Sequence, residues 1–299
     1  MKLQIRKILV PFDFSETGRL AMEHAAVLAR LTKAELTIVH VMPLTPYYFE
    51  IPEPVFLIGE QEEIRRTLNE KLQDSARELT EKYKLLPKTI LLEGRVANNI
   101  IQAARDEKSD LVVMGTHGAK GFEELFIGSN AQKVVSLAPC PVITIQSHAK
   151  KTGFRNIVLP IDRSAHSREK VPIAAELASV YDAQVHLLGL LEDTDEDHEY
   201  DKLQLVLDQV QAVIEKHGLG FTRHTRKGSN LAETALRFGE EAKADLIIIM
   251  TEHESSLTGI FLGALAGQIV NHSRIPVMSI KPNYGHFESI NLSGAYKMY

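Results

Sequence analysis

Apolar residues fall along this chain in short, nearly unbroken runs, separated by stretches where they recur every three or four positions. In the first half the runs predict β-strands over roughly 6–12, 35–41, 88–93, 110–115 and 141–145. Segments such as "LVVM" and "VITI" show no polar alternation, the pattern of parallel strands covered on both faces. Between the runs the spacing becomes helical. "SETGRLAMEHAAVLARL" opens on Ser15, a suitable cap, and then repeats Leu20, His24, Val27 and Leu31 along one face. Helices are expected near 16–32, 60–84, 96–107 and 129–138.

The same pattern is then written again. "RKILVPFDFSETGRLAMEHAAVLARLTKAELTIVHV" (Arg6–Val41) aligns without a gap on "RNIVLPIDRSAHSREKVPIAAELASVYDAQVHLLGL" (Arg155–Leu190) at an offset of 149. Pro11 meets Pro160 and Asp13 meets Asp162. Further on, "SDLVVMG" matches "ADLIIIM" and "APCPVITI" matches "SRIPVMSI", both at an offset of 135. A unit this long is a duplicated domain and not a solenoid repeat. Strands in the second copy are expected near 155–161, 184–190, 221–226, 245–250 and 276–280.

Strands alternating with helices imply right-handed crossovers, and therefore an α/β fold: two tandem Rossmann-like three-layer α/β/α domains, each with a five-stranded parallel sheet. The expected division is 1–148, 149–281 and a tail, 282–299. The halves should superpose and pack as an internal pair, each keeping its own sheet and not sharing one mixed sheet. Two segments lie outside the repeat. "PLTPYYFEIPEPVFLIG" (Pro43–Gly59) reads as a flap over a ligand or a loop packed on the other domain, and the tail holds three tyrosines.

Length and charge agree with this division. A chain of 299 residues suits two cores. The formal net charge is -5, with 19 basic and 19 acidic residues in 1–150 but 15 and 20 in the remainder, so there is no basic footprint for nucleic acid. No apolar run reaches membrane-spanning length. The start, "MKLQIRKILVPFDF", carries charge within its apolar stretch, so a cytoplasmic protein without a signal peptide is expected. The single cysteine, Cys140, is expected as a core thiol.

Candidate chemistry concentrates in "GTHGAKGFEELFIGS" (Gly115–Ser129), directly after the fourth strand. Gly115 and Gly118 permit left-handed backbone angles or close approach of a phosphate. Gly128 and Ser129 open the next helix, whose N–H groups favour an anion. Lys120 lies inside the loop, either near phosphate or simply solvated. Asp13, at the same sheet edge, can accept hydrogen bonds from a ribose or an adenine amino group, or can cap the helix beginning near Glu16. Val41 ends the second strand, as an apolar base contact or as core. Neither G-x-G-x-x-G nor G-x-x-x-x-G-K-[ST] is present. The twelve histidines show no metal-ligand spacing, so no protein metal site is expected.

"ILVPFDFSE", the G-x2-G-x9-G-S pattern and the closing "APCPVITI" make the chain resemble a tandem universal stress protein. The resemblance implies ATP bound in the first copy. Asp13 would hold the ribose or base, Val41 the adenine, and Gly115, Gly118, Gly128 and Ser129 the phosphates, with Mg²⁺ or Mn²⁺ accompanying the nucleotide. It also implies that "PVITI" is a pairing strand, whose contact "PVMSI" can satisfy internally, with further homodimer formation open. In the second copy Met250, His253 and Ala264 replace two glycines and the hydroxyl, and only Gly263 remains. That copy is expected to keep the fold without the ATP site. The leading reading is an ATP-binding regulatory or stress-resistance module. A slow ATPase or self-phosphorylating enzyme comes next, then an interaction protein that needs no nucleotide.

Overall fold

Each half folds as an alternating series around a parallel sheet. The computed structural model describes residues 5–43, 55–116, 127–251, 253–256 and 259–282. The first half runs β1 (Lys7–Pro11), α1 (Glu16–Thr32), β2 (Glu35–Met42), α2 (Val55–Tyr83), β3 (Lys88–Glu93), α3 (Val96–Asp106), β4 (Leu111–Gly115), α4 (Ser129–Leu137) and β5 (Val142–Ile145). The second runs β6 (Asn156–Ile161), a 3-10 turn (Ala165–Arg168), α5 (Val171–Tyr181), β7 (Gln184–Leu191), α6 (Asp197–Lys216), β8 (Phe221–Lys227), α7 (Leu231–Glu241) and β9 (Leu246–Met250). A hairpin, β10 (His253–Ser256) with β11 (Gly259–Leu262), then precedes α8 (Ala264–His272) and β12 (Val277–Ile280).

The strand order is β3-β2-β1-β4-β5 in one half and β8-β7-β6-β9-β12 in the other, with parallel pairing within each. The expectation of separate sheets does not hold. β5 and β12 pair antiparallel, Thr144 opposite Val277 and Ile143 opposite Met278, and one ten-stranded sheet results. The cause is the apolar closing strand. Its outer row of backbone donors and acceptors would otherwise lie unpaired beside buried side chains.

Successive strand residues face opposite layers. Ile8 and Val10 point to the layer of α1 and α2, while Leu9 joins Val39 and Val112 beneath α3 and α4. Each core continues across the seam, through Ile143, Ile145, Met278 and Ile280 on one face and Val142 and Val277 on the other. His24 of α1 stacks on Phe154 of the linker at 5.4 Å, and Phe154 meets Tyr181 of α5 edge-on at 5.2 Å.

Matching details recur in both halves. Asp110 Oδ2 accepts the Arg6 and Lys7 N–H groups at 2.8 and 2.9 Å, and Asp245 Oδ2 accepts those of Arg155 and Asn156 at 2.9 and 3.0 Å. The helix ends Lys33 and Asp182 are both left-handed, with φ of 58° and 50°. One expectation needs correction: Val55–Gly59 form the first turns of α2 and are not part of a loop. Residues 44–54 and the tail from 283 lie outside the described residues. No helix among the described residues is long and apolar enough to cross a membrane.

Ile143 is 0% exposed at the centre of the seam. Ile143→Ala should cost about 2–5 kcal/mol. Calorimetry should show the whole chain melting earlier in one transition, because both cores cross the seam. Two separate transitions would show that the halves unfold independently.

Candidate functional site

In each half the chain moves outward from the first strand in one direction, then jumps back to continue on its other side. The carboxyl ends of β1 and β4 therefore flank a topological switch point, where open α/β sheets bind ligands. Asp13 follows β1, Val41 lies at the end of β2, and Gly115 ends β4. Gly128 and Ser129 open α4 on the same side. Five of the six sequence-derived residues thus belong to one sheet edge. Gly118, with His117 and Lys120, lies outside the described residues.

Asp13 shapes the turn from β1 into α1. Ser15 N–H donates to Asp13 Oδ1 at 3.1 Å, and the Ser15 hydroxyl donates to the same oxygen. That hydroxyl in turn accepts Gly18 N–H at 3.0 Å, so the helix cap is Ser15 itself. Between them Phe14 has a φ of 64°, unusual for an aromatic residue. Its ring is packed against Phe12 at 4.8 Å and His40 at 4.7 Å. Asp162 repeats part of this arrangement, accepting Ser164 N–H at 2.9 Å. The aspartate therefore has a structural task in both copies.

Gly115 and Gly128 do not use the left-handed freedom of glycine; neither has a positive φ among the described residues. Close approach explains them. A Cβ on Gly115 would lie 3.0 Å from the Thr17 carbonyl carbon, because the start of α1 leans on the end of β4. A Cβ on Gly128 would lie 3.1 Å from the Thr116 carbonyl oxygen, which already accepts Gly128 N–H at 2.8 Å. As the N-cap, Gly128 supplies no side-chain acceptor to α4. The opening N–H groups and dipole of α4 therefore suit an anion, with the exposed Ser129 hydroxyl beside them.

The second copy has lost this glycine, and its helix start differs accordingly. Met250 occupies the Gly115 position, and His166 that of Thr17. The helix can no longer lean there. Residues 165–168 form a 3-10 turn and α5 begins only at Val171, followed by Pro172. Asp162 N–H donates to Ser167 Oγ at 3.0 Å, and Lys170, 3% exposed, donates to the Ser167 carbonyl at 2.7 Å. The cavity left beside Asp162, Lys170, Leu190, Met250 and Gly263 measures about 50 Å³. Ligand pockets usually span about 300–1,000 Å³. By the offset of 135, the hairpin β10–β11 corresponds in sequence to residues 118–127 of the first copy, of which 118–126 lie outside the described residues.

Sequence reasoning missed Thr17 and Gly18, the latter placing a prospective Cβ 2.9 Å from Asp13 Oδ1. The signal was present in the alignment of the copies, where they become His166 and Ser167 beside Met250. Cys140 is buried, and desolvation pushes its thiol up to about 12, so it is protonated at neutral pH. Among the described residues no three His, Cys, Asp or Glu side chains gather as a metal site.

Two repeated α/β/α units, each with a topological switch point in its strand order, define a duplicated Rossmann-like protein. The chain belongs to the universal stress protein family, whose model matches residues 4–146 and 153–281. It is 39% identical over 145 residues to a universal stress protein of Thermus aquaticus, covering 47% of this chain and 98% of that one. With a Mycolicibacterium smegmatis universal stress protein it shares 24% identity over 295 residues, covering 92% and 97%. A crystal structure of an Archaeoglobus fulgidus universal stress protein matches the fold with a TM-score of 0.72 at 20% identity, covering 93% and 99%.

Gly115→Ala should destabilise the fold by about 1–3 kcal/mol, because the new methyl group meets helix backbone. Denaturant titration measures this.

Burial holds His24 below its ordinary value of 6.5, against weaker opposing effects from the Ala149 carbonyl, Glu23 and Asp245. Burial, with the nearby His224, does the same to His186. The folded state favours neutral imidazole at both positions, so their contribution is complete above about pH 6.5 and is lost as pH falls through the lowered values. Melting temperature should therefore decline on acidification below that point, and less steeply in His24→Gln.

Proposed function

We propose that the first half binds one ATP, or a closely related adenine nucleotide, and that the chain acts as a nucleotide-responsive regulatory or stress-resistance module in the cytoplasm. The observation that carries this reading is the start of α4. It has no side-chain cap, opens on Gly128 and Ser129, and lies at the same switch point as Asp13. In this reading the phosphates lie against Gly115, Gly118, Gly128 and Ser129. Asp13 receives the ribose or base, and Val41 packs on the adenine. A divalent ion, Mg²⁺ or Mn²⁺, would be held by phosphate oxygens and water. Residues 1–148 form the binding domain and 149–281 its altered copy.

The second copy is read as lacking a nucleotide site. Met250 fills the glycine position, and the cavity beside it, at about 50 Å³, is small for a nucleotide. Turnover would require a group that orients water or takes its proton. The carboxylate nominated at the site is Asp13, and its Oδ1 already serves Ser15. Binding is therefore favoured over catalysis.

Titration of purified, nucleotide-stripped protein should give a stoichiometry near one ATP per chain. A value near two would place a working site in the second copy, and rapid steady turnover would favour the enzyme reading.

A further inference from the structure

Gln146 follows β5 directly and is 6% exposed, yet neither its amide nitrogen nor its amide oxygen has a hydrogen-bond partner among the described residues. Buried carboxamides are rarely left in this state. Gln146 lines a cavity of about 20 Å³ on the seam between the halves. Thr116 and Ile127, the described residues on either side of the glycine loop, form one wall. Asn271 and Arg274, from the end of α8 and just beyond it, form another. Arg274 and His148 are exposed, so the mouth opens to solvent. Arg274 has no carboxylate partner among the described residues. The repeat places Lys281 at the position of Gln146, so this carboxamide occurs only on the side carrying the glycine loop.

The chemistry of an occupant is set by these groups. A space of this size admits one or two oxygen-sized atoms, so a larger ligand can insert a single group while the remainder stays at the mouth. A carboxamide needs an acceptor for its NH₂ and a donor for its carbonyl. Hydrogenphosphate presents both, as P–O⁻ and P–OH, whereas a carboxylate presents only acceptors. A guanidinium at the mouth pairs well with an oxyanion. We propose that this seam cavity binds a phosphoryl group, drawn from free inorganic phosphate or from the terminal γ-phosphate of a nucleotide in the first half. The nucleotide source rests on the function proposed above; the free-phosphate source does not. Either way, the second half supplies part of the site.

The test uses nucleotide-stripped, full-length protein and calorimetric titration at constant ionic strength. Inorganic phosphate, ATP and AMP are each added to wild type, Gln146→Leu and Arg274→Ala. Gln146→Leu removes an unpaired buried amide at similar volume, so it should melt at or above the wild-type temperature. If the source is free phosphate, both substitutions weaken phosphate binding about tenfold or more and leave the ATP-to-AMP affinity ratio unchanged. If the source is a nucleotide, that ratio falls about tenfold while AMP affinity stays within about twofold. Equal affinities for phosphate, ATP and AMP in all three proteins would overturn the proposal and leave the nucleotide reading intact. Phosphate binding that depends on both residues, in a wild type that takes up no nucleotide, would support the seam site and remove the nucleotide reading. A wild type that binds neither phosphate nor nucleotide would overturn both.

Discussion

A parallel sheet ending in a strand as buried as Val142–Ile145 faces a difficulty at its margin, because backbone donors and acceptors are left beside apolar side chains that cannot be exposed. Duplication resolves it by presenting a second copy of the same edge. Two like edges related by a rotation meet antiparallel, as β5 and β12 do. Once joined, Ile143 and Met278 extend one core across the seam, and Val142 and Val277 extend the other. The margins that remain are β3 and β8. The second carries Arg223, Arg226 and Lys227, charges that discourage further strand addition.

The two halves preserve this frame and diverge at their sheet ends. Asp13 and Asp162 keep the same bond to the serine two residues on, and the clamps by Asp110 and Asp245 are nearly superimposable in length. What changes is the contact between the fourth strand and the first helix. Glycine at 115 lets α1 begin at Glu16, against the sheet. Methionine at 250 displaces that beginning, and a 3-10 turn with a buried lysine takes its place. The helix start and the turn change together with the residue that ends the fourth strand.

Much of this was legible in the residues. Continuous apolar runs located the inner parallel strands closely, since burial on both faces leaves little ambiguity in them. Ser15 marked its helix correctly. The fixed offset exposed the duplication, and five of the six candidate residues fall on one sheet edge. The single mixed sheet was not foreseen, although its pairing strands were, because apolarity shows that an edge is covered without showing what covers it. The glycines were read as making room for a ligand. At Gly115 and Gly128 the atoms brought close belong to Thr17 and Thr116, contacts that join distant parts of the chain and leave no periodic trace. The first turns of α2 were hidden by the prolines just before them.

The short linker between β5 and β6 has a further consequence. Pairing between separate chains obeys mass action, so it weakens on dilution and permits like to join like. Here the partner strand is tethered, and its effective concentration is set by chain length and not by protein abundance. Expression level therefore cannot loosen the seam, nor can exchange scramble it. Each glycine-bearing half is matched to one methionine-bearing half for the lifetime of the molecule, an asymmetry that free subunits could maintain only by discriminating against themselves.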